Sequence, residues 1–164
     1  MKDFSGKLAV ITGGGTGMGR ELARQLLAEG CDVAICDVIE ENMNETLSLC
    51  QAEAPQGRKI SAHKCDVSNE QDVLRFRDEV QHEHERDYVN LLFNNAGIGN
   101  TPSFLDEDAR ATWERVFNIC WYGVYYCSRA FVPLLVKADE GHLVNTSSVN
   151  GLWATLGPGS THSA

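Results

Sequence analysis

Glycines crowd the turn that follows the first apolar run of the chain, and their spacing suits the binding of a phosphate group. The turn, Thr12 to Gly19, reads T-G-G-G-T-G-M-G. Glycine lets the backbone turn sharply and approach a pyrophosphate. A helix that begins near Gly17 would also point free N–H groups and its positive dipole end at that anion. We therefore expect a phosphate-bearing cofactor to contact Gly13, Thr16, Gly17, Met18 and Gly19.

The spacing of these glycines leaves two classes of cofactor open. The turn does not fit G-x-G-x-x-G, because Met18, Arg20 or Leu22 falls where the last glycine belongs, but it fits T-G-x-x-x-G-x-G. The alternate glycines from Gly13 to Gly19 also satisfy the G-x-G-x-G pattern of methyltransferases.

An acidic residue stands where the second strand is predicted to end. Asp37 follows Gly13 by 24 residues, and a carboxylate there can accept hydrogen bonds from ribose hydroxyls. A ribose 2′-phosphate would meet that carboxylate, and neither Thr16 nor Val38 supplies a compensating cation. The pattern favours NAD over its phosphorylated form. The alternative is that Asp37 only caps the next helix.

A pair of serines ends the last predicted strand. Ser148 would lie at the carboxyl end of a parallel strand, where ligands bind in open sheets. Oxidation of an alcohol requires a base beside the hydroxyl and a donor that steadies the oxygen. A serine of this pair is our candidate for that donor, and the alternative is a serine that merely ends a strand.

The elements that must position these residues alternate along the chain. Strand-like runs are KLAVIT, CDVAIC, KISAHKC, VNLLFN and HLVNTS, and helical spacing follows the first four of them. This alternation predicts a doubly wound parallel α/β sheet in a single domain, residues 1–164. The last helix is expected to run from about Asp108 to Val136, with an inward stripe of Trp113, Val116, Phe117, Cys120, Val124, Cys127 and Phe131.

Composition narrows the classes of partner. The formal charge of -9 disfavours nucleic acid and anionic lipid, and Val116 to Ser128, the uncharged run of the last predicted helix, is too short to span a bilayer. Six scattered cysteines with no C-x-x-C pair and no secretory leader indicate reduced thiols in a cytoplasmic protein. His82 and His84 are two residues apart, which predicts a solvated helix face and no metal site.

Five signatures together resemble the short-chain dehydrogenase/reductase family: the glycine turn, Asp37, Asp66-Val67, the NNAG of residues 94–97 and the VNTSSVNG of residues 144–151. The resemblance implies a Rossmann-like sheet of order 3-2-1-4-5 and an NAD-dependent oxidoreductase that interconverts a secondary alcohol and a ketone. It also implies a homo-oligomer, dimer or tetramer. The implied roles are adenine binding by Asp66 and Val67, contact with the nicotinamide ribose by Asn95, Ala96 and Gly97, and contact with the substrate oxygen by Ser148.

Two departures from the family pattern qualify these expectations. Cys120 stands where the family has an asparagine that holds a water linked to the catalytic lysine, so we expect weakened catalysis. The family's Tyr-x-x-x-Lys pair is absent from the 164 residues. Either His162 serves as the base, or the tyrosine follows Ala164 and the chain is truncated before the last helices and strands. We expect these 164 residues alone to be inactive; the alternative function is a non-catalytic dinucleotide-binding regulatory or scaffold protein.

Overall fold

The computed structural model describes residues 1–99, 103 and 105–149, and within them strands and helices alternate as predicted. The strands are β1 Leu8–Thr12, β2 Asp32–Asp37, β3 Ile60–Lys64, β4 Leu91–Asn94 and β5 His142–Asn145. The helices are α1 Gly17–Ala28, α2 Glu40–Glu53, α3 Glu70–His84, α4 Ala109–Phe117 and α5 Gly123–Lys137.

The five strands form one parallel sheet in the order β3-β2-β1-β4-β5, which confirms the predicted order. The central strand β1 pairs with β2 on one side and with β4 on the other; Ala9, for example, lies between Val33 and Leu91. The chain thus leaves β1 toward one edge of the sheet and later returns to its other side. A crevice opens at the carboxyl ends of strands that diverge in this way.

Alternate residues of β1 serve two hydrophobic layers. Leu8 and Val10 belong to the layer under α3 and α5, where Phe76 and Phe131 are fully buried. Ala9 and Ile11 belong to the layer under α1 and α2. Because both faces of the strand are buried, its sequence is apolar throughout rather than alternating.

The last helix departs from the predicted regular α-helix. Residues Asn118–Tyr122 form a π-helical turn between α4 and α5. The inward stripe is confirmed at Val116, Cys127 and Phe131, which are buried, and is wrong at Cys120, which is exposed. Cys120 lies beside the loop after β4, with its Sγ donating to the carbonyl oxygen of Ile98 at 3.7 Å, so it is placed at the edge of the core.

The continuous helical segment Ala109–Lys137 spans 29 residues, which by length and mean hydropathy alone would allow it to cross a membrane. Core helices of soluble proteins meet the same test. This segment packs Cys127, Phe131 and Leu134 into the layer that covers the sheet, as a core helix does.

The prediction of a solvated face for both His82 and His84 is wrong for His84. His82 is exposed, whereas His84 is only 8% exposed and its Nε2 lies 2.8 Å from the Ser61 hydroxyl. His84 continues the buried stripe of α3 four residues after Val80. The spacing of that stripe was the available signal, because residues four apart on a helix share a face.

Candidate dinucleotide-binding cleft

A cleft of about 500 Å³ lies at the carboxyl ends of the strands. All eleven residues predicted to contact a cofactor line it, although their individual contacts remain predictions. They are Gly13, Thr16, Gly17, Met18, Gly19, Asp37, Asp66, Val67, Asn95, Ala96 and Gly97.

Two glycines allow the turn after β1 to pack against β4 and against itself. Gly13 has a φ of +66°, and a Cβ there would lie 2.8 Å from the Cα of Ala96. A Cβ at Gly19 would lie 2.1 Å from the carbonyl oxygen of Gly13. Either added methyl group would displace backbone, so the turn requires glycine at both positions.

The start of α1 leaves backbone donors at the cleft. Thr16 is its N-cap residue, its side chain makes no capping hydrogen bond, and the first turn contains no acidic residue. The first N–H groups of a helix have no partner within it. Together with the helix dipole, they suit an anion such as a diphosphate.

Asp37 holds the turn and the start of α2 together. Its Oδ2 accepts from the Gly15 N–H at 3.0 Å, and its Oδ1 accepts from the N–H groups of Val38 at 2.8 Å and Ile39 at 3.1 Å. A carboxylate offers about four acceptor positions. The structural role therefore leaves capacity for a ribose hydroxyl, so the two sequence interpretations of Asp37 are compatible.

Arg20, which sequence reasoning did not single out, supports the turn from behind. Its guanidinium donates to the carbonyl oxygen of Gly15 at 2.7 Å and pairs with Glu45 at 2.6 Å. The Thr46 hydroxyl donates to the same carbonyl at 2.9 Å. Because its donors are engaged in this way, Arg20 is occupied in the turn rather than offered to the cleft.

Thr12 joins the two strands that flank the cleft. Its Oγ1 accepts from the backbone N–H groups of Asn95 at 3.0 Å and Ala96 at 2.9 Å and donates to the Phe93 carbonyl oxygen at 3.3 Å. The Asn95 amide nitrogen in turn donates to the Thr12 carbonyl oxygen at 2.9 Å. This Thr12–Asn95 clasp fixes the two sides of the cleft relative to each other, and sequence reasoning missed the part played by Thr12.

The loop after β3 forms one end of the cleft. Asp66 accepts from the backbone N–H of Ser68 at 2.9 Å and from its hydroxyl at 2.6 Å, both through Oδ1. Val67 is buried against Gly123, where a Cβ would lie 2.8 Å from a Val67 methyl carbon. Gly123, at the start of α5, thus lets the loop after β3 pack closely against this helix.

Thiols lie beneath this end of the cleft. Cys65 lines the cleft and is hydrogen-bonded to Cys36, and that bond together with burial raises the pKa of Cys36 well above its ordinary value. Burial likewise raises the pKa of Cys127. The thiols of Cys36 and Cys127 are therefore neutral and add no charge beneath the cleft.

The two predicted catalytic residues do not belong to the described lining of the cleft. Cys120 is adjacent to it, beside Gly97 and Ile98. Ser148 is exposed and follows the end of β5 by three residues. The predicted base His162 lies outside the described residues, as do Asn150 and Gly151 of the serine motif.

Comparisons with known proteins agree with this geometry. A family model described as short chain dehydrogenase matches residues 7–159. Meso-2,3-butanediol dehydrogenase from Serratia marcescens is 36% identical over 154 residues, which are 94% of this chain and 58% of that protein.

Two solved structures of such enzymes superpose closely on the chain. One, from Burkholderia phymatum in complex with NAD, has a TM-score of 0.88 and 35% identity over 99% of this chain and 56% of that one. The other, a metagenomic oxidoreductase in complex with NADP, has a TM-score of 0.84 and 28% identity over 96% of this chain and 69% of that one. The chain spans about half the length of the curated relatives compared, between 46% and 58%.

Proposed function

The chain belongs to the short-chain dehydrogenase/reductase family, and from that premise we propose that it is an NAD-dependent oxidoreductase that interconverts a secondary alcohol and a ketone. The observation that carries the choice of NAD is the Asp37 carboxylate, which lies in the cleft beside the glycine turn. A ribose 2′-phosphate would place a second anion next to it. Membership of the family also disfavours the methyltransferase alternative.

The cleft fits a dinucleotide at both ends. The glycine turn and the start of α1 would hold the diphosphate, Asp37 the adenosine ribose, and Asn95 to Gly97 the nicotinamide ribose. Glycine at position 13 keeps the turn close to Ala96, since a Cβ there would lie 2.8 Å from the Ala96 Cα. When bound, the nicotinamide ring supplies hydride transfer to or from a carbon atom.

The chain's own residues would orient the substrate and handle its proton. Ser148 would donate a hydrogen bond from its Oγ to the substrate oxygen, which stabilises negative charge that develops there. Cys120 lies near the nicotinamide end, but a thiol is a weak hydrogen-bond donor and acceptor. We therefore expect proton transfer to and from the site to be slower than with an amide side chain at this position.

The coenzyme preference is tested by fluorescence titration with NADH and NADPH. We expect tighter binding of NADH, and Asp37→Asn should narrow the ratio of the two affinities by about tenfold, because it removes the charge and keeps the shape. Asp78→Asn, on the exposed side of α3, is the matched control and should leave the ratio unchanged. Equal binding of NADH and NADPH by the unaltered protein would overturn the NAD proposal.

A second candidate function follows from Cys120, which stands where the family has an asparagine. The chain could serve as a dinucleotide-binding regulatory or scaffold protein of the same fold. NADH binding without turnover of any secondary alcohol or ketone by the full-length protein would favour this candidate. For the 164 residues alone we propose that no dehydrogenase activity occurs, and reduction of NAD by them would refute that.

We also propose a homo-oligomer, dimer or tetramer, and a cytoplasmic location. The helical segment Ala109–Lys137 exposes large apolar side chains, among them Trp121, Tyr125 and Val136, which suits contact between copies. All six cysteines are unpaired, as is usual in a reducing compartment. Light scattering of the full-length protein and cell fractionation test these two proposals, and a monomer or a secreted protein would overturn them.

A further inference from the structure

Arg115 differs from the other eight arginines of the chain. Each of those eight pairs with a carboxylate: Arg20, Arg24, Arg58, Arg75, Arg77, Arg86, Arg110 and Arg129. Arg115 is exposed, and its side chain makes no hydrogen bond or ion pair with any residue that the structure describes. Its guanidinium therefore has all five of its N–H donors available to solvent or to a ligand.

The position of Arg115 places that guanidinium on the cleft wall. Arg115 and Ile119 are four residues apart along the helix and both line the cleft. Both also border an adjoining hollow of about 440 Å³, together with Val38 and Asp66. Val38 and Asp66 follow β2 and β3, so Arg115 stands at the adenosine end, away from Asn95 to Gly97.

Arg115 also differs in charge from the other described residues that line the cleft. The other charged side chains there are Asp37 and Asp66, and Arg115 is the one cation among the lining residues that the structure describes. Asp66 uses one carboxylate oxygen for Ser68, which leaves the other for an amino group at the edge of a base. A planar, delocalised guanidinium has a different use, because it stacks on the face of a ring.

We propose that Arg115 closes over the adenine ring of the bound coenzyme and stacks its guanidinium on the base. Asp66 then recognises the amino edge of the ring and Arg115 its flat face. A contact with a ribose 2′-phosphate is disfavoured, because Asp37 occupies the ribose side. This inference rests on the proposed function, since it requires an adenine dinucleotide in the cleft.

Calorimetric titration with AMP, NAD and NADP tests the inference on the full-length protein. Arg115→Ala should weaken AMP and NAD binding by the same factor, about five- to tenfold, the range expected for loss of one stacked cation. Arg115→Lys keeps the charge without the plane and should recover only a small part of the loss. Arg110→Ala, on the same helix and paired only with Glu114, is the matched control and should change nothing.

The outcomes separate this inference from the proposed function. If the unaltered protein binds AMP and NAD and Arg115→Ala binds them equally well, the inference fails and the proposed function stands. Full recovery by Arg115→Lys, or a loss confined to NADP, would show a contact made by charge alone and would also overturn the inference. If the unaltered protein binds neither AMP nor NAD, the proposed function fails and the inference with it.

Discussion

Protonation of His84 should destabilise the fold as the pH falls from 6.5 to 4. His84 is 8% exposed, and burial, followed by the nearby charge of Lys59, lowers the pKa of its ring from the ordinary 6.5 to about 4. The unfolded chain therefore binds a proton in this pH range that the folded chain does not. The contribution of His84 to the free energy of unfolding is therefore constant above pH 6.5. It declines as the pH falls to 4 and is constant again below that.

The hydrogen bonds around His84 link its ring to that of His63 through one serine hydroxyl. Ser61 Oγ lies 2.8 Å from the Nε2 of His84 and 2.8 Å from the Nε2 of His63, whose Nδ1 lies 3.0 Å from a Glu79 oxygen. The serine hydroxyl has one proton and can donate to only one of the two rings. If one ring is charged, the other accepts from Ser61 and every contact is kept. If both are charged, the serine proton has no acceptor and two cations share one buried site.

The size of the effect follows from the two pKa values. A difference of about 2.5 units corresponds to about 3 kcal/mol at about 1.36 kcal/mol per unit. Because the ring retains some exposure, we expect about 2 kcal/mol of it to be realised. Carboxylates on neighbouring elements, among them Asp32, Glu79 and Glu83, lie around the same two histidines, so the comparison must be with a variant that keeps them.

Urea denaturation at a series of pH values measures this effect. The stability difference between the unaltered protein and His84→Gln should fall by about 2 kcal/mol from pH 7 to pH 4, because the carboxylate contributions cancel in the difference. His82→Gln, on the same turn but exposed, should show no such trend. A flat difference for His84→Gln, or an NMR titration that places the His84 pKa near 6.5, would refute the reasoning.

Four further predictions concern the cleft and the long helix. Gly19→Ala should lower the affinity for NADH at least tenfold in a fluorescence titration, because the added methyl group would clash with the backbone. The control is Gly99→Ala, whose methyl group meets nothing within 4 Å and should leave the affinity unchanged. Equal affinities of the two variants would contradict this prediction. Of the six thiols, that of Cys120 should react with a maleimide in the folded protein, since the other five are buried. Detection of more than one adduct per chain by mass spectrometry would contradict the structure. Cys120→Asn should raise the turnover number of the full-length enzyme, and no change or a fall would end that hypothesis. Gly123→Ala should lower the free energy of unfolding by about 1 to 3 kcal/mol through its clash with Val67, and an unchanged denaturation midpoint would contradict it.

The parts of the fold that were predicted from sequence depend on local patterns. The apolar run of β1 and the glycine turn identify a strand and the start of a helix without reference to other parts of the chain. Glycine also favours the end of a helix: Gly30 follows α1 with a φ of +89°, and the Cys31 N–H donates to the Leu26 carbonyl oxygen. The end of β2 at Asp37 was likewise predicted from a local pattern, the apolar run that stops at this acidic residue.

The features that were missed depend on residues far apart in sequence. The burial of His84 depends on Ser61 in β3, and the exposure of Cys120 depends on where β4 ends relative to the long helix. The π-helical turn has no local signal in its composition that we can identify. Arg115 was overlooked because only the tertiary structure shows that it lines the cleft while the other arginines are paired.

The Thr12–Asn95 clasp also has a consequence for folding during synthesis on the ribosome. Its two halves are 83 residues apart, so the clasp cannot form while the ribosome is still making the segment between them. Because the ribosome adds about 5–20 residues per second, β4 is made several seconds or more after β1. During that time one side of β1 offers unpaired backbone groups to any other strand. The nascent chain is therefore expected to need protection by a chaperone until β4 arrives.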